Sequence, residues 1–278
     1  MCPNCRAFIT TKDKICPYCD TPVGPRAIDR MGGDLLGGLI PSAQFATIVI
    51  LSINVGIFLL TLLASAKSGA GGLMNIDILT LRKFGATSPL FILNGQYWRL
   101  LTAGFLHGGL MHIGFNCWAL MDVGAHAEQE YGPRRMTAIY LIATVGGFAA
   151  STMWGILRGQ DITSVGASAG LFGLIGAMIA YGTVSHGMEA SMVKQFYVRW
   201  AVYGLLMGLL PFFRVDNAAH IGGLATGFVT AWIAGTPKLV HGTREKVWDA
   251  IAGGMILLTV YAFVRMFLFL YAVGNIQN

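Results

Sequence analysis

The feature that most constrains this chain is a series of long apolar segments that recurs from residue 44 to residue 273. The chain of 278 residues is 55% hydrophobic and only 12% charged, whereas soluble domains carry about 25% charged residues. A single aqueous core cannot bury that much apolar surface, so a lipid bilayer is the expected solvent. The net charge of +6 is explained by basic residues in membrane loops, and we expect no nucleic-acid partner.

Seven segments are apolar enough to be predicted as transmembrane helices. They cover residues 44–66, 109–125, 136–157, 168–185, 195–213, 219–236 and 250–273. Helices are the expected form, because a helix satisfies its own backbone polar groups inside lipid. A mixed, aromatic-rich segment of residues 67–106 follows the first span and is too polar to cross. The sequence therefore predicts an all-α, multi-pass membrane protein.

The distribution of Lys and Arg predicts the orientation. If the N-terminus is cytoplasmic, the inside segments carry twelve of these residues and the outside segments carry six. Cytoplasmic loops are normally the ones enriched in Lys and Arg. We therefore expect a cytoplasmic N-terminus and an outside C-terminus, in the plasma (inner) membrane. The first twenty residues lack the apolar core of a signal peptide.

Two C-x-x-C pairs precede the first span: Cys2 with Cys5, and Cys16 with Cys19, separated by ten residues. Two such knuckles can aim four thiolates at one tetrahedral zinc ion. The metal would supply the folding energy that so small a segment lacks. Two disulfides or a redox pair are the alternatives, and a reducing cytoplasm favours zinc. The fifth cysteine, Cys117, is expected to be a buried small hydrophobe.

Polar residues occur together at the beginning of three spans. The second, fourth and sixth spans all enter the membrane from the outer face, since consecutive spans alternate in direction. They begin with His112 and Asn116, with Ser168, and with His220, respectively. Taken singly, each has a structural explanation as a helix cap, a small packing residue or a backbone-bonded side chain. Their shared depth in the membrane favours a functional site.

The chemistry of this set fits acyl transfer. Ser168 is the candidate nucleophile, and His220 is the candidate base that takes its proton. The oxyanion formed by attack needs donors, for which the Ser168 backbone N–H, His112 and the Asn116 amide are candidates. No Asp lies deep within an apolar span, so a dyad is expected rather than a triad. Phe172, one helical turn after Ser168, is expected to stack on the His220 ring.

Helical periodicity also predicts how the fourth and sixth spans pack. Gly223, Gly227 and Ala231 share a face with His220, which makes that face small. Phe172 and Ile175 share a face with Ser168. We expect the small face to pack against the bulky one, which permits close approach.

These residues resemble the rhomboid family of intramembrane proteases. The matching motifs are Trp98-Arg99, His107-x4-His112-x3-Asn116, Gly166-Ala167-Ser168-Ala169-Gly170 followed by Leu171-Phe172-Gly173, and Ala219-His220-Ile221-Gly222-Gly223 with Gly227. The resemblance covers about residues 44–236. Ala169 departs from the family, which commonly has Gly directly after the serine.

The resemblance implies a six-helix bundle, here followed by a seventh helix, with Ser168 as nucleophile and His220 as general base. It implies that His112, Asn116 and the Ser168 backbone stabilise the oxyanion. The first loop, with Trp98 and Arg99, would lie partly in the outer leaflet. Substrates would be single-span membrane proteins cut near the outer membrane surface. No metal or organic cofactor would take part in the chemistry.

The expected organisation has four parts. They are a zinc-ribbon-like segment (1–20), a flexible linker (21–42), a rhomboid-like six-helix core (43–236), and a cytoplasmic loop with the seventh helix (237–278). Two other functions remain open: a non-catalytic membrane chaperone of the same fold, and a zinc-headed membrane adaptor whose head binds a protein partner. The presence of both Ser168 and His220 favours the protease. A transporter is disfavoured, because no carboxylate pair lies within the spans.

Overall fold

The structure is a computed structural model, and it is helical in most of the parts of the chain that it describes. Those parts are residues 5, 7, 8, 15–21, 23, 44–69, 71–210, 215–237 and 242–276. Within these ranges no β-strand forms, and an isolated bridge pairs Thr87 with Ser164. The prediction of an all-α protein is therefore confirmed.

The long helices overlap the predicted spans, but the helices at 195–213 and 250–273 begin earlier, at Met188 and Thr243, and short helices occupy the first loop. In chain order they are α1 (Phe45–Lys67), α2 (Ile78–Lys83), α3 (Pro89–Leu93), α4 (Arg99–Thr102), α5 (Leu110–Ala119), α6 (Ala125–Arg158), α7 (Ser168–Val184), α8 (Met188–Met207), α9 (Asn217–Ala234) and α10 (Thr243–Ile276). A 3-10 turn follows α4, and a π-helical turn joins α5 to α6.

Three stretches of the described helices are long and apolar enough to cross a membrane by length and composition. They are Phe45–Lys67, Leu110–Arg158 and Thr243–Ala272, and Ser168–Val184 is a shorter apolar helix. Large apolar side chains are exposed along α1, α8 and α10, as expected where lipid is the solvent. The protein is thus an integral membrane protein.

The continuous run from α5 through α6 is broken at Gly132. This residue has the non-helical angles φ 75° and ψ 161°, and Pro133 follows it. Proline is tolerated in the first turn of a helix, because its missing N–H would have no partner there. The predicted spans 109–125 and 136–157 correspond to the two arms on either side of this break.

The beginning of α1 is held by a side chain from α6. Both carboxylate oxygens of Glu128 take part, accepting hydrogen bonds from the N–H groups of Ala46 and Thr47, each at 2.9 Å. The Thr47 hydroxyl donates a third bond at 2.8 Å. These bonds satisfy N–H groups that have no partner within the helix, so Glu128 fixes α1 against the remainder of the bundle.

The connection from α6 to α7 lies against the first loop. Asp161 forms an ion pair with Arg82 at 3.0 Å. Three residues further on, Ser164 and Thr87 exchange backbone hydrogen bonds of 2.9 and 3.1 Å. The first loop therefore positions the segment that leads into Ser168.

Glycines bring the backbones of α7 and α9 into contact. A Cβ atom on Gly227 would lie 2.1 Å from the carbonyl oxygen of Gly173, and one on Gly223 would lie 2.1 Å from that of Ala169. The expectation that the small face of α9 packs against the bulky face of α7 is therefore wrong at Gly223 and Gly227, whereas Phe172 stacks on His220 as expected. Small residues line both helices at this contact, and periodicity alone could not select the face of α7.

The seventh long helix, α10, packs on α6 and α4. Met266 is completely buried. The ring of Phe263 lies 5.4 Å from that of Phe105, and the ring of Phe269 lies 5.9 Å from that of Trp98. The predicted seventh helix is thus present, and it contacts the same first loop that positions the connection before α7.

Candidate active site

Ser168 is the first residue of α7, and a constrained turn leads into it. Gly166 has φ 130°, a conformation that other residues rarely adopt. Its N–H donates to the carbonyl of Ala103 at 2.9 Å, which ties the turn to the first loop. A Cβ atom on Gly166 would lie 3.4 Å from the Ser168 hydroxyl oxygen. Glycine therefore leaves space beside that hydroxyl, and the helix start leaves the Ser168 N–H without an intrahelical partner.

His220 lies in the first turn of α9, which packs against α7. Asp216 caps this helix, because its side chain accepts a hydrogen bond from the Ala219 N–H at 3.0 Å. The His220 side chain is buried, and its ring is stacked on that of Phe172, with centroids 4.0 Å and planes 13° apart. Since Phe172 lies one turn after Ser168 on α7, the stack holds the imidazole beside the helix start that carries the hydroxyl.

His112 reaches the same turn from α5. The Gly108 N–H donates to its Nδ1 atom at 3.3 Å. Because Nδ1 acts as an acceptor, the proton of the neutral ring is assigned to Nε2. A Cβ atom on Gly166 would lie 2.6 Å from Nε2. A ring N–H donor is therefore available next to the turn that precedes Ser168.

Asn116 and His107 contact His112 from two sides. The Asn116 amide nitrogen donates to the His112 carbonyl oxygen at 2.8 Å, and the residue is 6% exposed. His107 is completely buried, and its ring meets that of His112 edge to face at 5.2 Å. His107 thus packs against the His112 ring, whereas Asn116 is bonded to the backbone of the same helix. The oxyanion role of Asn116 stays a prediction.

The candidate catalytic groups lie on neighbouring helix starts without being bonded to each other. Among the described residues, no hydrogen bond joins the Ser168 hydroxyl to the His220 ring, and the buried Nδ1 atom of His220 has no partner. Catalytic hydrogen bonds are often long before substrate binds. The site nevertheless combines a hydroxyl, an imidazole and ring and backbone N–H donors, which are the groups that acyl transfer requires.

Trp98 and Arg99 lie in the first loop, with Arg99 completely buried. The Arg99 guanidinium donates to the carbonyls of Arg82 and Ala86 at 2.6 and 2.9 Å. It also lies 3.9 Å from the centroid of the Phe91 ring and 4.5 Å from that of Trp98, within cation–π range. Arg99 therefore holds the first loop together from its interior.

Asp216 caps the helix that carries His220 but is absent from the sequence-based predictions, which considered only acids deep within apolar spans. One of its carboxylate oxygens accepts from the hydroxyls of Ser151 and Ser164, the latter at 2.6 Å. The available signal was its place four residues before His220, where Asp is a preferred helix cap. The two serines carried no comparable signal, because they are distant in sequence.

Three of the four predicted zinc ligands are described by the structure. The sulfur atoms of Cys5, Cys16 and Cys19 lie within 4.8 Å of one another, and those of Cys5 and Cys16 are 3.6 Å apart. Zinc–sulfur bonds of about 2.3 Å in a tetrahedron separate neighbouring sulfurs by about 3.8 Å, so these thiols fit a zinc ion. The fourth predicted ligand, Cys2, lies outside the described residues.

Comparison with known proteins gives one matching family model, described as the Rhomboid domain, over residues 94–237. RHOMBOID-like protein 5 of Arabidopsis thaliana is 38% identical over 165 residues, which are 58% of this chain and 52% of that protein. Rhomboid protease GluP of Bacillus subtilis is 36% identical over 168 residues, 60% of this chain and 32% of that protein.

A relative whose name calls it inactive is similar to this chain to nearly the same degree. Inactive RHOMBOID-like protein 8 of Arabidopsis thaliana is 34% identical over 132 residues, which are 47% of this chain and 36% of that protein. The chain spans about half or less of the length of these curated relatives. The similarity therefore applies to the Rhomboid domain, which this chain and these relatives have in common.

Proposed function

The chain belongs to the rhomboid family, and from this premise we propose that it is an intramembrane serine endopeptidase with Ser168 as nucleophile and His220 as general base. The observation that carries the proposal is the stack of His220 on Phe172, one turn from Ser168. In this stack the buried His220 imidazole lies near the start of α7, which carries the Ser168 hydroxyl.

The proposed reaction begins with attack of the Ser168 Oγ atom on the carbonyl carbon of the scissile peptide bond. His220 takes the hydroxyl proton, and a tetrahedral intermediate forms. When that intermediate collapses, His220 returns the proton to the leaving amine, and an acyl-enzyme remains on Ser168. Water, deprotonated by His220, then releases the second product and restores the hydroxyl. No metal or organic cofactor enters these steps.

Three donors are proposed for the oxyanion. The N–H of Ser168 is available because it opens α7. The Nε2–H of His112 is set by the bond from Gly108 to Nδ1, and the Asn116 amide has a second N–H besides the one bonded to His112. Preorganised donors of this kind are each worth about 10²–10³-fold in kcat.

The proposed substrates are single-span membrane proteins, cut near the outer membrane surface. The proposed topology has a cytoplasmic N-terminus and an outside C-terminus, in the plasma (inner) membrane. This orientation is supported by the excess of Lys and Arg in the segments assigned to the inside. It places the beginnings of α5, α7 and α9, and hence the site, in the outer leaflet.

The test is cleavage of a model single-span substrate by the purified full chain in liposomes. We expect cleavage by the native protein and none above background by Ser168→Ala or His220→Ala. Ser185→Ala, at the opposite end of α7, is the matched control and should cleave normally. Cleavage that survives both site substitutions would reject the dyad.

A non-catalytic membrane chaperone of the same fold is the second candidate. The similarity to a relative named inactive is the observation that supports it. The same experiment separates the two functions: a native protein that binds the model substrate, and cleaves neither it nor any other single-span protein of a reconstituted membrane proteome, would support the chaperone. The presence of both Ser168 and His220 favours the protease.

We also propose a structural zinc ion at the N-terminal segment, bound by Cys2, Cys5, Cys16 and Cys19. The proximity of the Cys5, Cys16 and Cys19 sulfurs supports it. Metal analysis of the full chain should give one zinc per chain, and Cys16→Ser should lose it, whereas Cys117→Ser should keep it. Absence of zinc from the native chain would reject the four-thiolate site.

The domain organisation proposed for this chain is the head (1–20), a linker (21–42), the six-helix core (43–236) and the seventh helix with its preceding loop (237–278). The alternative of a zinc-headed adaptor assigns the head to a protein partner. Deleting residues 1–20 separates these functions, because a protease core should still cleave without its head. Loss of cleavage would show that the head bears on catalysis.

A further inference from the structure

The carboxylate of Asp216 joins three separate segments of the chain. One oxygen accepts a hydrogen bond from the Ala219 N–H within α9, at 3.0 Å. The other accepts from the Ser164 hydroxyl, at 2.6 Å, and from the Ser151 hydroxyl. Ser151 lies on α6, and Ser164 lies in the connection that leads to α7. Both serines are at least nine-tenths buried.

Two of these contacts lie close to the reactive residues along the chain. Ala219 immediately precedes His220, and the His220 N–H itself donates to the Asp216 carbonyl at 3.1 Å. Ser164 lies four residues before Ser168, and its backbone is paired with the first loop. A single carboxylate therefore connects the helix start that carries His220 to the segment that delivers Ser168.

These contacts exceed what a helix cap requires. A cap needs one side-chain oxygen that accepts from the first turn, and Asp216 does this with one oxygen alone. Its second oxygen is used by two buried hydroxyls from outside the helix. Hydrogen bonds to an ionised carboxylate are about twice as strong as neutral ones, so this oxygen is suited to holding separate segments at a fixed spacing.

We propose that Asp216 is a positioning residue, which holds the beginnings of α7 and α9 in the relative placement that Ser168 and His220 need for proton transfer. The proposal rests on the proposed protease function. Asp216 is not assigned as a third catalytic residue, because its oxygens bond Ser151, Ser164 and the Ala219 N–H, and the Nδ1 atom of His220 has no hydrogen-bond partner. It acts through the segments that it joins.

The test is a comparison of kcat, KM and the thermal unfolding midpoint for the full chain in liposomes. Asp216→Ala should lower kcat by about ten- to a hundredfold, since misplacement by about 1 Å can cost about a hundredfold. KM should stay within about twofold, because the substrate contacts are unchanged. Asp216→Asn should recover the unfolding midpoint, since Asn caps helices as well as Asp, and should recover kcat in part.

Two further variants separate positioning from general stability. Asp249→Ala removes a carboxylate that pairs with Arg134, between α10 and α6, and should leave kcat within about twofold of native. Ser164→Ala should lower kcat, and adding it to Asp216→Ala should cause little further loss. Residues that act through one interaction are non-additive in this way.

Several outcomes would overturn the proposal. Native-like kcat in Asp216→Ala would do so, as would a loss of kcat that matches the loss of folded protein. Additive losses for Ser164→Ala and Asp216→Ala would show that they do not act together. If the native chain shows no Ser168-dependent cleavage, the protease function fails as well. Native cleavage with an unaffected Asp216→Ala rejects the positioning role alone.

Discussion

The ring of Phe172 lies nearly parallel to the ring of His220, with 4.0 Å between their centroids. This stack fixes the plane of the imidazole relative to α7. Such aromatic contacts contribute about 0.5–1.5 kcal/mol beyond burial. The Gly204 backbone lies against the end of the Phe172 ring, because a Cβ atom there would lie 2.6 Å from the ring's Cζ atom. The His220 ring, the proposed base, is thus oriented by packing on a neighbouring helix.

Replacing the ring should therefore impair chemistry more than binding. Phe172→Leu keeps an apolar side chain but removes the stack, and we expect kcat to fall about two- to tenfold with KM nearly unchanged. Steady-state cleavage kinetics measure both constants. Leu174→Ala, at a buried position on the same helix, should lower the unfolding midpoint while sparing kcat. An equal effect of the two substitutions on kcat would contradict the orienting role of the stack.

The close approach of α7 and α9 predicts that replacing a glycine by alanine lowers stability at this contact but not elsewhere. Gly227→Ala should destabilise the protein by about 1–3 kcal/mol, because the new Cβ atom would lie 2.1 Å from the Gly173 carbonyl oxygen. Gly56→Ala in α1 is the matched control, since no atom lies within 4 Å of its Cβ position. It should leave stability equal or slightly higher. Unfolding midpoints in detergent that fall equally would refute the packing.

Asp161 predicts a pH dependence of stability in acid. Partial burial by itself raises its pKa, but the Leu90 N–H and the Arg82 guanidinium help to hold the pKa below its ordinary value of 3.8. A carboxyl with a depressed pKa stabilises the folded state above that ordinary value, and the contribution is lost as the pH falls below it.

The unfolding midpoint of the native chain should accordingly drop more steeply below about pH 4 than that of Asp161→Asn. At neutral pH, Asp161→Asn should be the less stable of the two by a small amount, because an exposed ion pair is worth little. Parallel pH profiles for the two proteins would show that Asp161 does not fasten the connection before α7.

The contact of α10 with the first loop predicts that the seventh helix supports the core. The ring of Phe269 lies 5.9 Å from that of Trp98. The Arg99 guanidinium lies 5.0 Å from the centroid of the Phe269 ring. Phe269→Ala should lower the unfolding midpoint and reduce kcat, because Arg99 helps to hold the loop that binds the Gly166 turn. Phe267→Ala, on the exposed side of α10, should change neither. Matching effects of the two substitutions would argue against this support.

Much of the fold could be predicted from the sequence, because apolar length is a strong signal in a membrane protein. The segments 168–185 and 219–236 agree closely with α7 and α9. The pairing of faces could not be predicted, because periodicity places Gly173 on a face of small residues but does not say which helix packs there. Only the fold shows that Gly227 of α9 does so.

The candidate site could be predicted where residues of reactive type share one depth in the membrane, as Ser168, His220 and His112 do. Asp216 was not predictable, because its role arises from hydroxyls on Ser151 and Ser164 that only the fold brings near. The catalytic and oxyanion assignments themselves stay predictions, which activity measurements must test.

The most direct test of the central claim is labelling with a fluorophosphonate, which reacts with a serine hydroxyl activated by a base. The native chain should be labelled, with the modification located on Ser168 by mass spectrometry. His220→Ala and Ser168→Ala should not be labelled above background, while Ser185→Ala should react like the native chain. Absence of label from Ser168 in the native chain, or undiminished label in His220→Ala, would contradict a nucleophile activated by this pair.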